Sequence, residues 1–79
     1  MATATEVSIS SCVGQIGETA GVIWHALDEN GPLSITKLVK LTDAQRDTVL
    51  QAIGWLARED KIEIEETARG RVLSLKRDE

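Results

Sequence analysis

The sequence has no phenylalanine and no tyrosine, and it has only two tryptophans, Trp24 and Trp55. It therefore lacks the series of aromatic side chains on which single-strand binding proteins stack bases. It also has one cysteine, one histidine and one proline among 79 residues. A single cysteine excludes an internal disulfide framework and predicts a reducing, cytoplasmic location. One cysteine and one histidine cannot assemble a metal site by themselves.

Other absences exclude whole classes of function. The chain has no apolar run near the roughly 18 residues of a membrane helix, and no signal-peptide pattern at its N-terminus. It has neither a phosphate-binding glycine loop with its lysine nor a nucleophile elbow. Cys12 lies on an apolar helical stripe, which predicts a small buried side chain and not a nucleophile. We therefore predict no enzyme, cofactor, metal or membrane association, and no small-molecule ligand is evident.

The composition fits one small domain. An apolar fraction of 42% is ordinary for a folded chain, and the length suffices for one core. Residues 1–8 are predicted as a flexible N-terminal tail and residues 9–77 as the domain. The net charge of −4, from 13 acids and 9 bases, disfavours binding to nucleic acid through overall charge. A local basic patch can still bind it.

Apolar residues at three- and four-residue steps predict a first helix. Its stripe starts at Ile9, and the most regular part covers residues 15–29. Gly31 and Pro32 then end the helix, because glycine suits the left-handed C-cap and proline blocks continuation.

Two further helices and a short strand follow. Leu33 is predicted in one or two residues of strand, and Ser34 as the N-cap of a short second helix. The third helix is predicted over about residues 42–60. A capping box, in which Thr42 and Gln45 cap each other's backbone N–H groups, would start it.

After the third helix the apolar spacing becomes alternating. Ile62 and Ile64 share one face of a first strand, and Leu73 and Leu75 share the inner face of a second. Between the strands, "TARG" predicts a turn in which Gly70 can take a positive φ. Together these segments predict a β-hairpin.

This order of elements resembles the winged helix-turn-helix fold, an α+β architecture of three helices plus a C-terminal β-hairpin wing. The stretch "LSITKLVKLTDAQRDTVLQAIGWLAREDKIEIEE" carries the resemblance. The segments "IGETAGVIW" and "AIGWLARED" resemble a family of small bacterial and archaeal winged-helix proteins of uncharacterised function. The resemblance implies a DNA-binding type of architecture without catalytic residues. One departure is the helix-helix connection at residues 41–43, which lacks the glycine that such turns often carry.

In helix-turn-helix proteins the second helix of the pair enters the major groove with its N-terminal residues. The side chains predicted near base edges are Gln45, Arg46, Thr48 and Gln51. The basic side chains predicted on phosphates are Lys37, Lys40, Arg69 and Arg71. Asp43 and Asp47 would repel phosphates, although an acid in the first helical turn also suits the helix dipole. Arg46 could instead bury part of its stem beside the core.

Charge is unevenly distributed along the domain. Residues 43–60 carry a balance of −2, residues 34–41 of +2 and residues 62–77 of +1. The positive groups thus lie on the elements that flank the predicted reading helix. The alternative to a phosphate clamp is a self-neutralised hairpin, in which the wing glutamates pair across the strands with Arg71 and Lys76.

Three glycines, Gly14, Gly17 and Gly21, flank the apolar stripe of the first helix, although each costs about 0.5–1 kcal/mol relative to alanine there. Trp24 borders the same side, and Trp55 lies about 200° from the apolar face of its own helix. Two explanations are open. The glycines and tryptophans pack tightly within one chain, or Gly17, Gly21, Trp24 and Trp55 form a homodimer contact.

The sequence therefore predicts a DNA-binding module, a transcriptional regulator that acts on double-stranded DNA as a dimer. A dimer would span two half-sites, because one reading helix gives little specificity. The alternative is a protein-interaction module of the same fold that does not bind DNA.

Overall fold

The computed structural model describes residues 2–76, and it describes side chains from Cys12 onward. The elements follow in the order α1 (Ala2–Asn30), β1 (Leu33–Ser34), α2 (Ile35–Thr42), α3 (Arg46–Arg58), β2 (Ile62–Thr67) and β3 (Gly70–Leu75). Three helices plus a C-terminal hairpin confirm the predicted winged-helix fold class, and β1 confirms the short strand near Leu33.

The three strands form one antiparallel sheet in the order β1-β3-β2. Leu33 of β1 lies opposite Leu73 of β3, and on the other side of β3 the same Leu73 lies opposite Ile64 of β2. The hairpin closes where Thr67 pairs with Gly70, whose φ of 138° only glycine adopts readily. The short first strand thus ties the wing to the start of α2.

The core lies between the apolar faces of the three helices and the central strand. Its largest fully buried side chains are Ile23, Leu27, Leu38, Val49 and Leu73. Each lies at a position where the helical or alternating apolar period predicts burial. Among the residues described, the buried hydrophobic side chains are all aliphatic, since the sequence has no phenylalanine or tyrosine and neither tryptophan is fully buried.

Several side chains predicted on the apolar faces are exposed, among them Val13 of α1 and Leu50 and Ala57 of α3. Ile64 is 44% exposed, because the outer part of the hairpin extends beyond the helices that cover Ile62. Cys12 is also exposed, so the prediction that it is a small buried side chain is wrong. At that point α1 has extended past the core.

Helix α1 begins at Ala2, well before the regular part of its apolar stripe. Met1, the side chains of residues 2–11 and residues 77–79 lie outside the described part of the chain. The flexible tail predicted for residues 1–8 and the end of the domain at residue 77 therefore stay predictions. Over the residues described, no helix combines the length and the apolar character needed to cross a membrane.

The turn between α2 and α3 differs from the prediction. The Thr42 hydroxyl donates to the Val39 carbonyl at 3.4 Å, so Thr42 closes α2 and does not begin α3. Asp43 is the C-cap of α2 in the left-handed region, with φ 56° and ψ 25°, and Gln45 is the N-cap of α3 without a side-chain hydrogen bond. The predicted capping box is therefore wrong. The predicted Ser34 cap is confirmed, since its Oγ accepts the Lys37 N–H at 3.1 Å.

Asp43 occupies the position where helix-turn-helix turns often carry glycine. Asp43→Gly is expected to raise the free energy of unfolding by up to about 1 kcal/mol, because glycine adopts left-handed φ without steric cost. Asp43→Val is expected to lower it by more than about 1 kcal/mol, since a β-branched residue is strained there. Urea denaturation of the three proteins checks this order. Equal stability of the Gly and Val variants would contradict the geometry.

Candidate nucleic-acid interface

The start of α3 is open to solvent. Gln45, Arg46 and Gln51 are exposed, whereas Thr48 is half-buried. The exposed position of Arg46 leaves its guanidinium open to solvent, whether or not part of its stem packs beside the core. Asp47 is exposed in the first turn of α3, where it suits the helix dipole and also adds a negative charge to this surface.

Three of the four residues predicted at base edges lie together on one side of α3. Gln45, Thr48 and Gln51 line a groove of about 510 Å³ against α1, together with Cys12, Val13, Gln15, Ile16 and Asp47. Gln45 and Thr48 also line a smaller space with Gln15 and Thr19. The extended part of α1 therefore forms a wall beside the predicted base-reading side chains. The apolar stripe predicted this part of α1 as helix, but it did not indicate that the helix would lie beside the start of α3.

The fourth residue, Arg46, lies in a different place. It lines a cleft of about 630 Å³ between the tip of the hairpin and the first turns of α2 and α3. We call this cleft the arginine cleft. Its lining residues are Ser34, Ile35, Thr36, Arg46, Thr67, Arg69, Gly70, Arg71 and Val72. Two predicted phosphate contacts, Arg69 and Arg71, are thus brought together with a predicted base contact.

The start of α2 is a part of the arginine cleft that was not predicted from the sequence. Ser34 and Thr36 contribute hydroxyl groups, and the N-terminus of a helix favours anions through its dipole and its N–H groups. The Ser34 cap was the available sign of a helix start here. Lys37 and Lys40 are exposed on α2 but are not among the residues that line the arginine cleft.

Hydrogen bonds order the tip of the hairpin. The Thr67 hydroxyl donates to the Gly70 carbonyl at 2.9 Å and accepts the Arg69 N–H at 3.3 Å. The Arg71 guanidinium donates to Glu66 through Nε at 3.3 Å and Nη2 at 3.2 Å. This pair is exposed on both sides, so it contributes about 0–1 kcal/mol and leaves Arg71 available to another anion.

The charges of the hairpin are therefore only partly neutralised by pairing across the strands. Glu66 pairs with Arg71 as that alternative predicts, and Lys76 pairs with Asp60 at 2.7 Å. Glu63 and Glu65 lie opposite the uncharged Ser74 and Val72 in the register. Among the residues lining the arginine cleft, which all lie in the described part of the chain, none is acidic.

Comparison with known proteins fits this architecture. The winged helix-turn-helix domain family DUF2582 matches residues 12–75, which include all three strands, α2 and α3. The chain belongs to this family. An uncharacterised protein of Methanocaldococcus jannaschii, MJ1608, is 43% identical over 65 residues, which cover 80% of this chain and 93% of that protein.

Two solved structures share the winged-helix fold. The solution structure of BT2368 from Bacteroides thetaiotaomicron is 34% identical, with a TM-score of 0.71 over 78% of this chain and 76% of that one. BpsR from Bordetella bronchiseptica, a protein described for the regulation of its DNA binding by 6-hydroxynicotinic acid, is 18% identical. Its TM-score is 0.67 over 96% of this chain and 63% of BpsR. At that identity the likeness shows the fold alone.

The glycines within α1 and α3 face open space. A Cβ added at Gly14, Gly17, Gly21 or Gly54 would meet no atom within 4 Å in the part of the chain described. The explanation that these glycines mark helix crossings within one chain is therefore wrong. Close packing at them would require a partner outside the monomer.

The two tryptophans differ in exposure. Trp55 is 48% exposed, so packing within one chain leaves about half of this side chain open to solvent. Trp24 is half-buried and contacts His25 edge-on, with ring centroids 5.5 Å apart and an angle of 87° between the planes. Val13 on α1 is 68% exposed.

In the region described, no group of three or more His, Cys, Asp or Glu side chains is placed to hold a metal ion.

Proposed function

We propose that this winged-helix protein binds double-stranded DNA, with the start of α3 in the major groove and the wing on the sugar–phosphate backbone. The observation that supports this most strongly is the arginine cleft. Arg46 at the start of α3 and the wing-tip residues Arg69 and Arg71 lie on one side of the molecule. A DNA duplex must touch the reading helix and the wing at the same time, so their basic groups need to face the same direction.

The predicted contacts then take separate roles. Gln45 and Gln51 remain free to reach base edges, and Thr48 reaches them less easily because it is half-buried against α1. Lys37 and Lys40 lie outside the arginine cleft and would touch flanking phosphates. Such a role is that of a transcriptional regulator acting in the cytoplasm.

The acidic side chains of the protein are expected to weaken its binding to DNA. The net charge is −4, and Asp47 lies in the first turn of α3. Both oppose the phosphate field, so a single domain is expected to bind weakly and to lose affinity quickly as salt rises. We expect saturable binding at micromolar protein in salt on the order of 50 mM, where counterion release is most favourable.

A fluorescence-anisotropy titration of the full chain into a labelled random duplex tests the proposal. Saturable binding that weakens as salt increases is the expected result. A protein that leaves the anisotropy unchanged at tens of micromolar, in low salt, does not bind DNA as proposed. The protein-interaction module would then become the better account, because the exposed side chains Val13 and Trp55 supply apolar contact area.

We further propose that two chains associate through the open face of α1, with Gly17, Gly21, Trp24 and Trp55 in the contact. The support is the open space at both glycines and the half-exposed Trp55 ring. Glycines let two helix backbones approach closely, and half-exposed aromatic rings are enriched in interfaces. Dimerisation would also give two reading helices for two half-sites.

The double substitution Gly17→Ala/Gly21→Ala separates the monomer from the dimer. In a lone chain it is expected to raise the free energy of unfolding by about 1–2 kcal/mol, because alanine favours helix over glycine and both methyl groups enter open space. In a dimer packed on these glycines the same methyl groups would clash and weaken association. Urea denaturation of dilute protein and sedimentation at micromolar concentration measure the two effects.

Gly54 also faces open space within a helix but directly precedes Trp55, so Gly54→Ala is a further test of the contact and not a control. It is expected to stabilise a lone chain in the same way. A wild-type protein that sediments as a monomer at micromolar concentration would contradict the dimer.

A further inference from the structure

The arginine cleft has room for a small molecule. It is partly open to solvent, and its volume of about 630 Å³ lies within the range of about 300–1,000 Å³ typical of small-molecule sites. Ile35 and Val72, both half-buried, form an apolar part of its lining. A ligand with an anionic group and a small organic body would fill both parts.

The polar groups of the cleft select the anion. Three arginines, Arg46, Arg69 and Arg71, are among the residues that line it. A phosphate monoester offers three terminal oxygens and about 1.5–2 negative charges at neutral pH, which suits several arginine forks better than a carboxylate with two oxygens and one charge.

The hydroxyl groups of Ser34 and Thr67 have different roles in the cleft. Ser34 Oγ accepts the Lys37 N–H, which leaves its own proton to donate. The Thr67 hydroxyl is already used to hold Gly70 and Arg69, so it shapes the tip and does not serve the ligand. The first residues of α2 add the positive end of a helix dipole.

We propose that the arginine cleft binds a small phosphorylated ligand, a phosphate monoester of nucleotide size or smaller, and that this ligand and DNA compete for the same arginines. No sequence motif indicates such a site, because the cleft exists only once the wing folds beside the helix starts. The competition rests on the proposed DNA binding, whereas the ligand site itself does not. Regulation would follow directly, since an occupied cleft no longer offers Arg46, Arg69 and Arg71 to the duplex.

Amide NMR spectra of the ¹⁵N-labelled full chain test the site, with ribose 5-phosphate as the probe and ribose as the control at constant ionic strength. Ribose 5-phosphate is expected to shift the amides of residues 34–36 and 67–72 in a saturable way, and ribose is not. Inorganic phosphate should shift the same amides more weakly, because it lacks the organic body. Shifts that ribose causes equally, or that spread over the whole surface, overturn the proposal.

Variants assign the binding to the cleft. Arg46→Gln/Arg71→Gln is expected to weaken binding of ribose 5-phosphate by about tenfold or more, through loss of charge-assisted hydrogen bonds. Glu66→Gln is expected to strengthen it, because Arg71 loses its competing carboxylate. Lys61→Gln removes one positive charge at the base of the wing, where Lys61 is exposed and is not among the residues lining the cleft, and should leave binding unchanged. All four side chains are exposed, so the variants are expected to fold. Equal weakening by Lys61→Gln would overturn the assignment.

Competition is measured by repeating the duplex titration with saturating ribose 5-phosphate at fixed ionic strength. The apparent Kd for DNA is expected to rise severalfold with ribose 5-phosphate and to stay constant with ribose. If DNA binds and ribose 5-phosphate does not, or if both bind without affecting each other, the proposal fails and the proposed function stands. If ribose 5-phosphate shifts the cleft amides but no duplex binds, the proposed function fails and the ligand class stands.

Discussion

Replacing Leu73 with alanine is expected to lower the free energy of unfolding by about 3–5 kcal/mol, the range measured for leucine truncation in well-packed cores. Leu73 is fully buried in β3, the central strand that pairs with both β1 and β2. The cavity would open where the sheet meets the helices. A domain of this size has about 4–12 kcal/mol of stability in total, so the variant is expected to be partly unfolded at physiological temperature.

Leu41→Ala is the matched control, because it removes the same atoms from a side chain that is 51% exposed on α2. We expect it to change the free energy of unfolding by less than about 1 kcal/mol. Urea denaturation followed by circular dichroism measures both variants. If Leu73→Ala costs no more than Leu41→Ala, the sheet does not pack on the helices as described.

The triple substitution Arg46→Gln/Arg69→Gln/Arg71→Gln is expected to reduce affinity for duplex DNA by about 100-fold at low salt, because it removes three positive charges from one surface. The slope of log affinity against log salt should also become shallower by about 0.9 for each phosphate that the variant no longer neutralises. Anisotropy titrations at several salt concentrations give both quantities. The arginines are exposed, so the variant should unfold at the same urea concentration as the wild type.

The control for this result is a charge change elsewhere that removes two positive charges instead of three. Lys61→Gln/Arg58→Gln removes positive charge from the end of α3 and the base of the wing, both exposed and outside the arginine cleft. We expect it to weaken DNA binding by no more than about threefold, since charges beyond a Debye length are largely screened. If the control weakens binding as much as the triple substitution does, the affinity comes from overall charge and not from the cleft.

The spacing of apolar residues predicted the core, because buried positions recur at the period of the helix or strand that carries them. Ile23 and Leu38 recur at helical spacing, Ile62 and Leu73 alternate along strands, and all four are buried. The same spacing did not predict how far α1 extends toward the N-terminus. Its first residues are mostly small or polar, and a helix held by backbone hydrogen bonds can extend past the core without an apolar stripe.

The turn after α2 shows where local pattern fails. The hydroxyl of Thr42 can cap the next helix or bond back to its own, and both patterns are common for threonine. The structure has the second, to Val39, because Asp43 takes the left-handed C-cap. Nothing in the sequence separated these choices, since they depend on how α2 crosses α3.

The candidate site was predicted residue by residue but not as a unit. Arg46 was predicted at a base edge and Arg69 and Arg71 on phosphates, yet the three line one cleft. Arg46 lies far from the wing in sequence, and they meet only because β1 draws β3 toward the start of α2. Such a long-range juxtaposition produces no pattern in the sequence.

The proposal that the start of α3 and the wing bind DNA is tested most directly by amide NMR. Unlabelled duplex DNA is added to the ¹⁵N-labelled chain, and the amides that respond are mapped. We expect saturable shifts at residues 34–37, 45–51 and 67–72, that is, at the starts of α2 and α3 and at the tip of the wing. Shifts confined to α1 around residues 13–24, or none at all at micromolar DNA and low salt, would contradict it.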